Sequence, residues 1–543
     1  MLTVLLALAL SAGPAPLEAA PLPVTPINAA ELRGHMRFLA SDLLEGRGPG
    51  TNGDRLAQEY IAAQFEQLGL EPGLPDGGWR QPLELVGVDG HPETMRFSAK
   101  NGAVLQLNFY DDFIAQPGRE QTAVKLENAE LVFVGFGIRA PEFQWDDFKK
   151  TDLTGKIAVV MNNDPEDDPS LFGGKARLWY GRWDYKYEEA RQRGAVGCLI
   201  IHTTPSAGYS WQVVQTSWSG VQFNLPATGQ RELELKGWVT EDATRKLFAL
   251  TGKDLDALRK SALSRKFVPV PLGVTLSTAF TSVVARSTTA NVLGLVRGTD
   301  PKLRDQFVVI TAHHDHLGRK TGAPGDDTIY NGAVDNASGV AALLAVARVI
   351  KAQNPKRSVL FAAVAAEEQG LLGSRYLVEH PPVPTRQMIA NVNIDGLNIW
   401  GRTRDVSVIG LGKSTLDDTL RRLAKDQGRV VMPDDLSDRG FFYRSDQFNF
   451  ARKGVPAAYF SSGQDFVGRP PGWGREQREK WEATHYHQPS DEVRDDWDLG
   501  GAVEDIELVR RLVLEVANAD AAPLWTKGDE FEATRKADLA GQR

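Results

Sequence analysis

The period of the apolar positions changes twice along this chain. Between Ala29 and Leu70 they recur at helical spacing, over 31–39 and again over 54–68, which predicts two amphipathic helices. The segment between them, 45–53, holds four glycines and a proline and reads as a loop. From about 108 to 271 the texture is β-like. Short apolar runs at 130–134, 156–160 and 197–201 are separated by turn-rich, Trp-rich stretches, with a helical stretch at 187–193. Helical patterning at 242–264 and the apolar run 268–274 lead out of this region, which predicts a small β-rich insert. From about 287 onward strands and helices alternate. Strands are predicted at 306–312, 358–366, 389–394, 406–409 and 457–460. Helices are predicted at 338–350, with Ser338 as N-cap, at 416–425, and finally at 503–516. This alternation predicts an α/β fold: a mostly parallel sheet with helices on both faces.

Length and charge narrow the function. A chain of 543 residues is too long for one core, so two or three domains are expected. A net charge of -8, with no basic run interleaved with aromatics, argues against a nucleic-acid binder. Cys198 is the only cysteine. It excludes an internal disulfide and a thiolate metal site, and its apolar neighbours predict a buried, inert thiol. The first dozen residues are apolar and are followed by small residues and prolines to about Ala20. Residues 1–20 therefore read as a signal peptide, although no Lys or Arg precedes the apolar run. No later stretch reads as a membrane span, so an exported protein, periplasmic or extracellular, is expected.

The candidate chemistry collects at predicted strand ends. The apolar run 359–366 closes on Glu367-Glu368, the first strand runs into His313-His314-Asp315-His316, and another ends near Asp395. Asp335 precedes the 338–350 helix, and His485-Tyr486-His487 lies near the end of the chain. Each residue alone is explained as a strand-end charge, a cap or a surface imidazole. Together, successive elements of one sheet deliver His, Asp and Glu to the same edge, where α/β folds gather their ligands. Imidazole and carboxylate without thiol suit zinc or a similar divalent ion in a hydrolytic site. Two histidines and three acids suffice for two ions if one carboxylate bridges, and one of the adjacent glutamates must stay free to move a proton.

Ala312-His313-His314-Asp315, the 332–339 segment around Asp335, Glu367-Glu368, Asp395 and the 486–491 segment resemble the metal motifs of the M28 family of zinc aminopeptidases. The 38–51 segment is similar to that family's N-terminal segment, and 445–456 to a further signature. The 134–141 and 155–160 stretches resemble the protease-associated (PA) domain that many members carry. The resemblance implies a zinc-exopeptidase-like fold: an N-terminal part at 21–107, an inserted PA domain at 108–271 and a metallopeptidase domain at 272–543. It implies two Zn2+ per chain, one held by His313, Asp335 and Asp395, the other by Asp335, Glu368 and His487. Glu367 is then the general base, Asp315 orients the His313 imidazole, and Tyr486 is a candidate oxyanion donor. Gln447 departs from the family, where His often follows Ser-Asp, and no role falls to His314, His316 or His485. The function implied is an exported aminopeptidase acting on peptides with a free N-terminus. The same fold acting as a carboxypeptidase or glutaminyl cyclase, or as a non-catalytic receptor ectodomain, is the alternative. No Gly-x-Ser-x-Gly elbow or His-Glu-x-x-His motif is present, and the 410–415 stretch matches neither phosphate-binding pattern.

Overall fold

The computed structural model describes residues 25–541 apart from 167, 169 and 324; the expected signal peptide lies outside the described residues. The central sheet is built on strands Phe307–His313, Ser358–Val364 and Met388–Asn393, which pair in parallel. Ala457–Ser462 extends it in parallel on one side, followed by the antiparallel Asp405–Ile409 and then Val430–Pro433. On the other side the end of the long Val270–Val296 strand runs antiparallel to Ser358–Val364. All seven residues of Ser358–Val364 are buried, as expected of a strand covered on both faces. The fold is α/β, with a mostly parallel mixed sheet between two helical layers.

Alternation along the strands assigns each side chain to a layer. Val308, Ile310 and Ala312 join helices Ala29–Leu39, Ser338–Ala352 and Gly500–Asn518 in the main core. Val309, Leu360 and Val364 pack on the opposite face against Leu377, Val378 and Phe450. Helix Ser338–Ala352 is the keystone of the larger layer. It is buried almost all round, so the apolar 333–352 segment, though long enough to cross a membrane, is a core helix.

The Val270–Val296 strand also leads away from this sheet. Its first half pairs with Met95–Ala99 and Ala123–Phe133, and residues 280–292 pair with Arg80–Pro92. A parallel set, Ala123–Phe133, Ile157–Met161, Gly197–His202 and Leu235–Thr240, continues from there. This β-rich body has its own apolar cores around Phe133, Val159 and Leu199 and around Val160, Ile200 and Trp238. Cys198 lies buried in the second, where burial pushes its thiol pKa up.

Two local expectations change, and the short strand at 430–433 is an addition to the sequence reading. Ser338 does not cap its helix through an accepted hydrogen bond. Its hydroxyl donates to the Val334 carbonyl, and the Asn336 side chain accepts the Gly339 N–H instead. Gly500–Asn518 is not the final helix, because Glu532–Leu539 follows it. Val430–Pro433 is an edge strand whose short, largely exposed run gave no alternation to read.

Because Leu343 sits at 0% exposure in the keystone helix, Leu343→Ala is expected to lower unfolding stability by about 2–5 kcal/mol. Urea denaturation followed by tryptophan fluorescence measures this.

Candidate metal centre

The parallel pairing of three strands puts their C-terminal ends on one edge. His313 is the last residue of Phe307–His313, Glu367 follows Ser358–Val364 by three residues, and Asp395 follows Met388–Asn393 by two. Ala366, with φ of 53°, turns the chain sharply so that both glutamates enter the edge. Asp335 arrives on the turn before the keystone helix, and His487, with φ of 57°, on the segment after helix Trp473–Thr484.

These side chains converge on Asp335. Its Oδ1 lies 3.1 Å from His313 Nε2, which also faces Asp395 Oδ1 at 3.2 Å. Its Oδ2 lies 3.2 Å from His487 Nε2, which faces Glu368 Oε2 at 3.0 Å. Asp335 thus divides its two oxygens between two half-sites. Glu367 belongs to the His313–Asp395 half, with donor atoms within 4.8 Å.

Electrostatics separate the two glutamates. Burial raises the Glu367 pKa well above the ordinary carboxyl value, with Asp395 and Glu368 adding to the effect and His313 opposing it. Burial also acts on Glu368, but His487 and His316 overcome it and hold Glu368 down at about 2. Asp335 is likewise held well below its ordinary value, because His313 and His487 outweigh the cost of burial.

A supporting layer fixes the donors. The Asp395 Oδ2 accepts from the Ser445 hydroxyl at 2.6 Å. Asp491 accepts the Val334 and Asp335 N–H groups. Asn336 donates to the Ile394 carbonyl and accepts from Gly396, joining the Asp335 turn to the Asp395 segment. Asp315, expected to orient the His313 imidazole, faces it and also holds the glutamate turn. Its carboxylate is 3.7 Å from His313 Nδ1, too far for a hydrogen bond, and accepts the Glu367 N–H at 3.1 Å. His313 Nδ1 also faces the Asp315 backbone carbonyl at 3.3 Å. Tyr486 is half-exposed in the cavity wall with its ring stacked on His487 at 3.9 Å. Gln447 is fully buried and bonded to Phe442 and Asn393, so it does not face the site.

The remaining histidines part company. His314 faces the buried Asp54 at 3.1 Å, and His485 faces Ser490 at 2.8 Å. His316 belongs to the site: it is fully buried, with Nδ1 2.6 Å from Glu368 Oε1. Gly332, at φ of 58°, makes room for it, since a Cβ there would come within 2.6 Å of the imidazole. The spacing of His316 two residues past Asp315 was visible in the sequence, but nothing there tied it to Glu368.

The donor set fits divalent ions. Ligands about 2.0–2.1 Å from one zinc sit a little over 3 Å apart in a tetrahedral arrangement, which matches the contacts of 3.0–3.2 Å at Asp335 and Glu368. Glu368 Oε1, His487 Nε2 and both His316 nitrogens are buried without an aligned hydrogen bond. Close polar atoms that ignore each other's hydrogen-bond directions are what shared ligation produces.

Arg47 underlies the whole edge. It is 1% exposed and donates to the backbone carbonyls of Leu39, His314, Asn331 and Gly332. Burial pushes its pKa down to about 10, opposed by Asp315, Asp491, Asp335 and Glu368. Arg47→Met removes a buried charge from among acids and is expected to cost roughly 3–5 kcal/mol. Arg47→Lys is expected to recover little, because one ammonium cannot replace a fork of donors. Thermal denaturation together with zinc titration of the purified variants checks both.

Residues 291–509 match the model of Peptidase family M28. Aminopeptidase YwaD of Bacillus subtilis is 29% identical over 468 residues, which is 84% of this chain and 79% of that protein. A probable zinc metalloprotease of Pyricularia oryzae is 34% identical over 109 residues, 20% of each chain. Among solved structures, an aminopeptidase from Aneurinibacillus sp. strain AM-1 aligns with a TM-score of 0.48 at 19% identity, covering 91% of this chain and 95% of its own. The match to Peptidase family M28 covers the sheet edge from the strand before His313 to the helix after His487, the stretch that holds both half-sites, and over it the chain is similar to that family of metallopeptidases.

Proposed function

We propose that the chain is a zinc-dependent aminopeptidase with two ions per site, exported from the cell. The observation that carries this reading is the division of the Asp335 carboxylate between two half-sites, each completed by one histidine and one acid. His313, Asp335 and Asp395 would hold one zinc, and Asp335, Glu368 and His487 the other. Bound there, the ions would polarise the scissile carbonyl and make a neutral-pH nucleophile of water. The aminopeptidase assignment draws on the names of the relatives.

Glu367 is the proton carrier. It is the acid left over when each half-site has its ligands, and burial raises its pKa above the ordinary carboxyl value, which strengthens it as a base for the proton it takes from water. It removes a proton from the attacking water as the new C–O bond forms at the peptide carbon. It returns that proton to the amide nitrogen as the C–N bond breaks, so the shortened peptide leaves as a neutral amine. Asp315 keeps Glu367 and Glu368 facing opposite half-sites through their backbone amides. Tyr486 donates a hydrogen bond to the oxygen that gains charge. The β-rich body, read as a PA domain, forms the far wall of the cavity over this edge.

The test combines aminoacyl chromogenic substrates with metal analysis. Hydrolysis is expected to need a free amino group, to stop on chelation and to return with zinc, with about two zinc ions per chain; cleavage of N-acetylated peptides at the same rate defeats the reading. Glu367→Gln is expected to retain zinc and lose about 10²–10⁴-fold in kcat. Glu367 acts as a base only when ionised, so kcat/KM is expected to fall as pH drops through its raised folded pKa and to level above it, measured as a pH–rate profile.

A further inference from the structure

A cavity of about 1760 Å³ opens from the metal edge and is walled on its far side by the β-rich body. This exceeds the roughly 300–1,000 Å³ of a small-molecule pocket and leaves room for several residues of peptide. Its charges are out of balance. The chain as a whole carries a net -8, yet the cavity wall is rich in Arg and Lys. Every Asp and Glu lining it outside the metal cluster has an Arg within 4.0 Å. By contrast Arg231, Lys236, Lys320, Arg439 and Arg444 line the same cavity, and among the described residues no carboxylate lies within that distance of any of them. Their few contacts are with rings: Lys320 lies over Tyr330 and Arg444 over Phe441.

The free cations are spread along the cavity. Arg444 directly precedes Ser445, which holds Asp395, so it stands at the metal end. Lys320 is on the loop that leaves His316. Lys236 is on the Leu235–Thr240 strand of the β-rich body, and Arg231 just before it, on the opposite wall. A substrate whose amino end lies at the metals extends its later residues between these walls. Unpaired cations in a walled cleft focus a positive potential on that path, which raises the local concentration and affinity of anionic ligands.

We propose that this cavity selects acidic peptides, with carboxylates carried beyond the scissile bond meeting Arg444 and Lys320 near the metals and Lys236 and Arg231 on the far wall. The proposal rests on the aminopeptidase reading and adds the substrate class.

The experiment compares kcat/KM of the full zinc-loaded chain on Leu-Glu-Glu-Ala, Leu-Gln-Gln-Ala and Leu-Lys-Lys-Ala at low and high salt. The expected order is Glu, then Gln, then Lys, with a Glu-to-Gln ratio of roughly 10 or more that shrinks as salt rises. In an Arg444→Gln, Lys236→Gln double variant that ratio is expected to approach 1. The ratio is taken within one protein preparation, so partial misfolding does not alter it. Equal rates on the Glu and Gln peptides, or a ratio untouched by the double variant, overturn the acidic-substrate proposal alone. Cleavage of none of the three overturns the aminopeptidase reading and this proposal with it.

Discussion

The crowding of carboxyl groups at one buried sheet edge is the constraint on which the rest of the molecule turns. Asp315, Asp335, Glu367, Glu368, Asp395, Asp446 and Asp491 all gather there, and Asp315, Asp446 and Asp491 are fully buried. Like charges at such distances in a low-dielectric setting repel by several kcal/mol per pair. The fold answers in three ways. Backbone N–H groups are turned onto Asp315 and Asp491. Imidazoles are set against Asp335, Asp395 and Glu368. One arginine, Arg47, is buried beneath the cluster. Where the partners are too few to offset it, burial leaves the acid reluctant to ionise, as at Glu367 and at Asp446, whose pKa is pushed up to about 7 despite the Ser374 hydroxyl.

That balance explains why an N-terminal segment is needed by a site hundreds of residues away. The Asp42–Arg47 turn brings one guanidinium to three carbonyls on the His314 and Asn331–Gly332 loops and to a fourth at Leu39. The same segment sends Asp54 to His314, so the N-terminal helices are joined to the metal edge by charge as well as by apolar packing. The edge in turn fixes the cavity. Its floor is acidic and committed to the half-sites, whereas its walls carry the unpaired cations.

The legible parts of the fold were those with strong periodicity. The 338–350 and 416–425 patterns and the largely apolar strands at 306–312 and 358–366 appear within a few residues of prediction, because burial on one or both faces writes itself into residue type. The short Val430–Pro433 edge and the Glu532–Leu539 helix have weak patterns and form through tertiary contact. At the site, the ligating residue types at strand ends could be read directly. Arg47, His316 and the bridging amide of Asn336 could not, because each acts across a long sequence gap on backbone groups that carry no side-chain signature.

Sequence alone determined the chemistry available: imidazole and carboxylate without thiol, placed at the ends of strands that must lie parallel because helices intervene between them. It also determined that Glu367 and Glu368 enter together. The tertiary structure gives the pair different surroundings, because their neighbours come from other elements: His487 and His316 stand against Glu368, while Asp395 and burial act on Glu367. Only the tertiary structure, too, set the Asp315 carboxylate against the Glu367 N–H as well as beside His313, and brought to the cavity walls cations that, among the described residues, have no carboxylate within 4.0 Å. Those outcomes depend on distances between elements far apart in the chain, which residue type and local spacing do not encode.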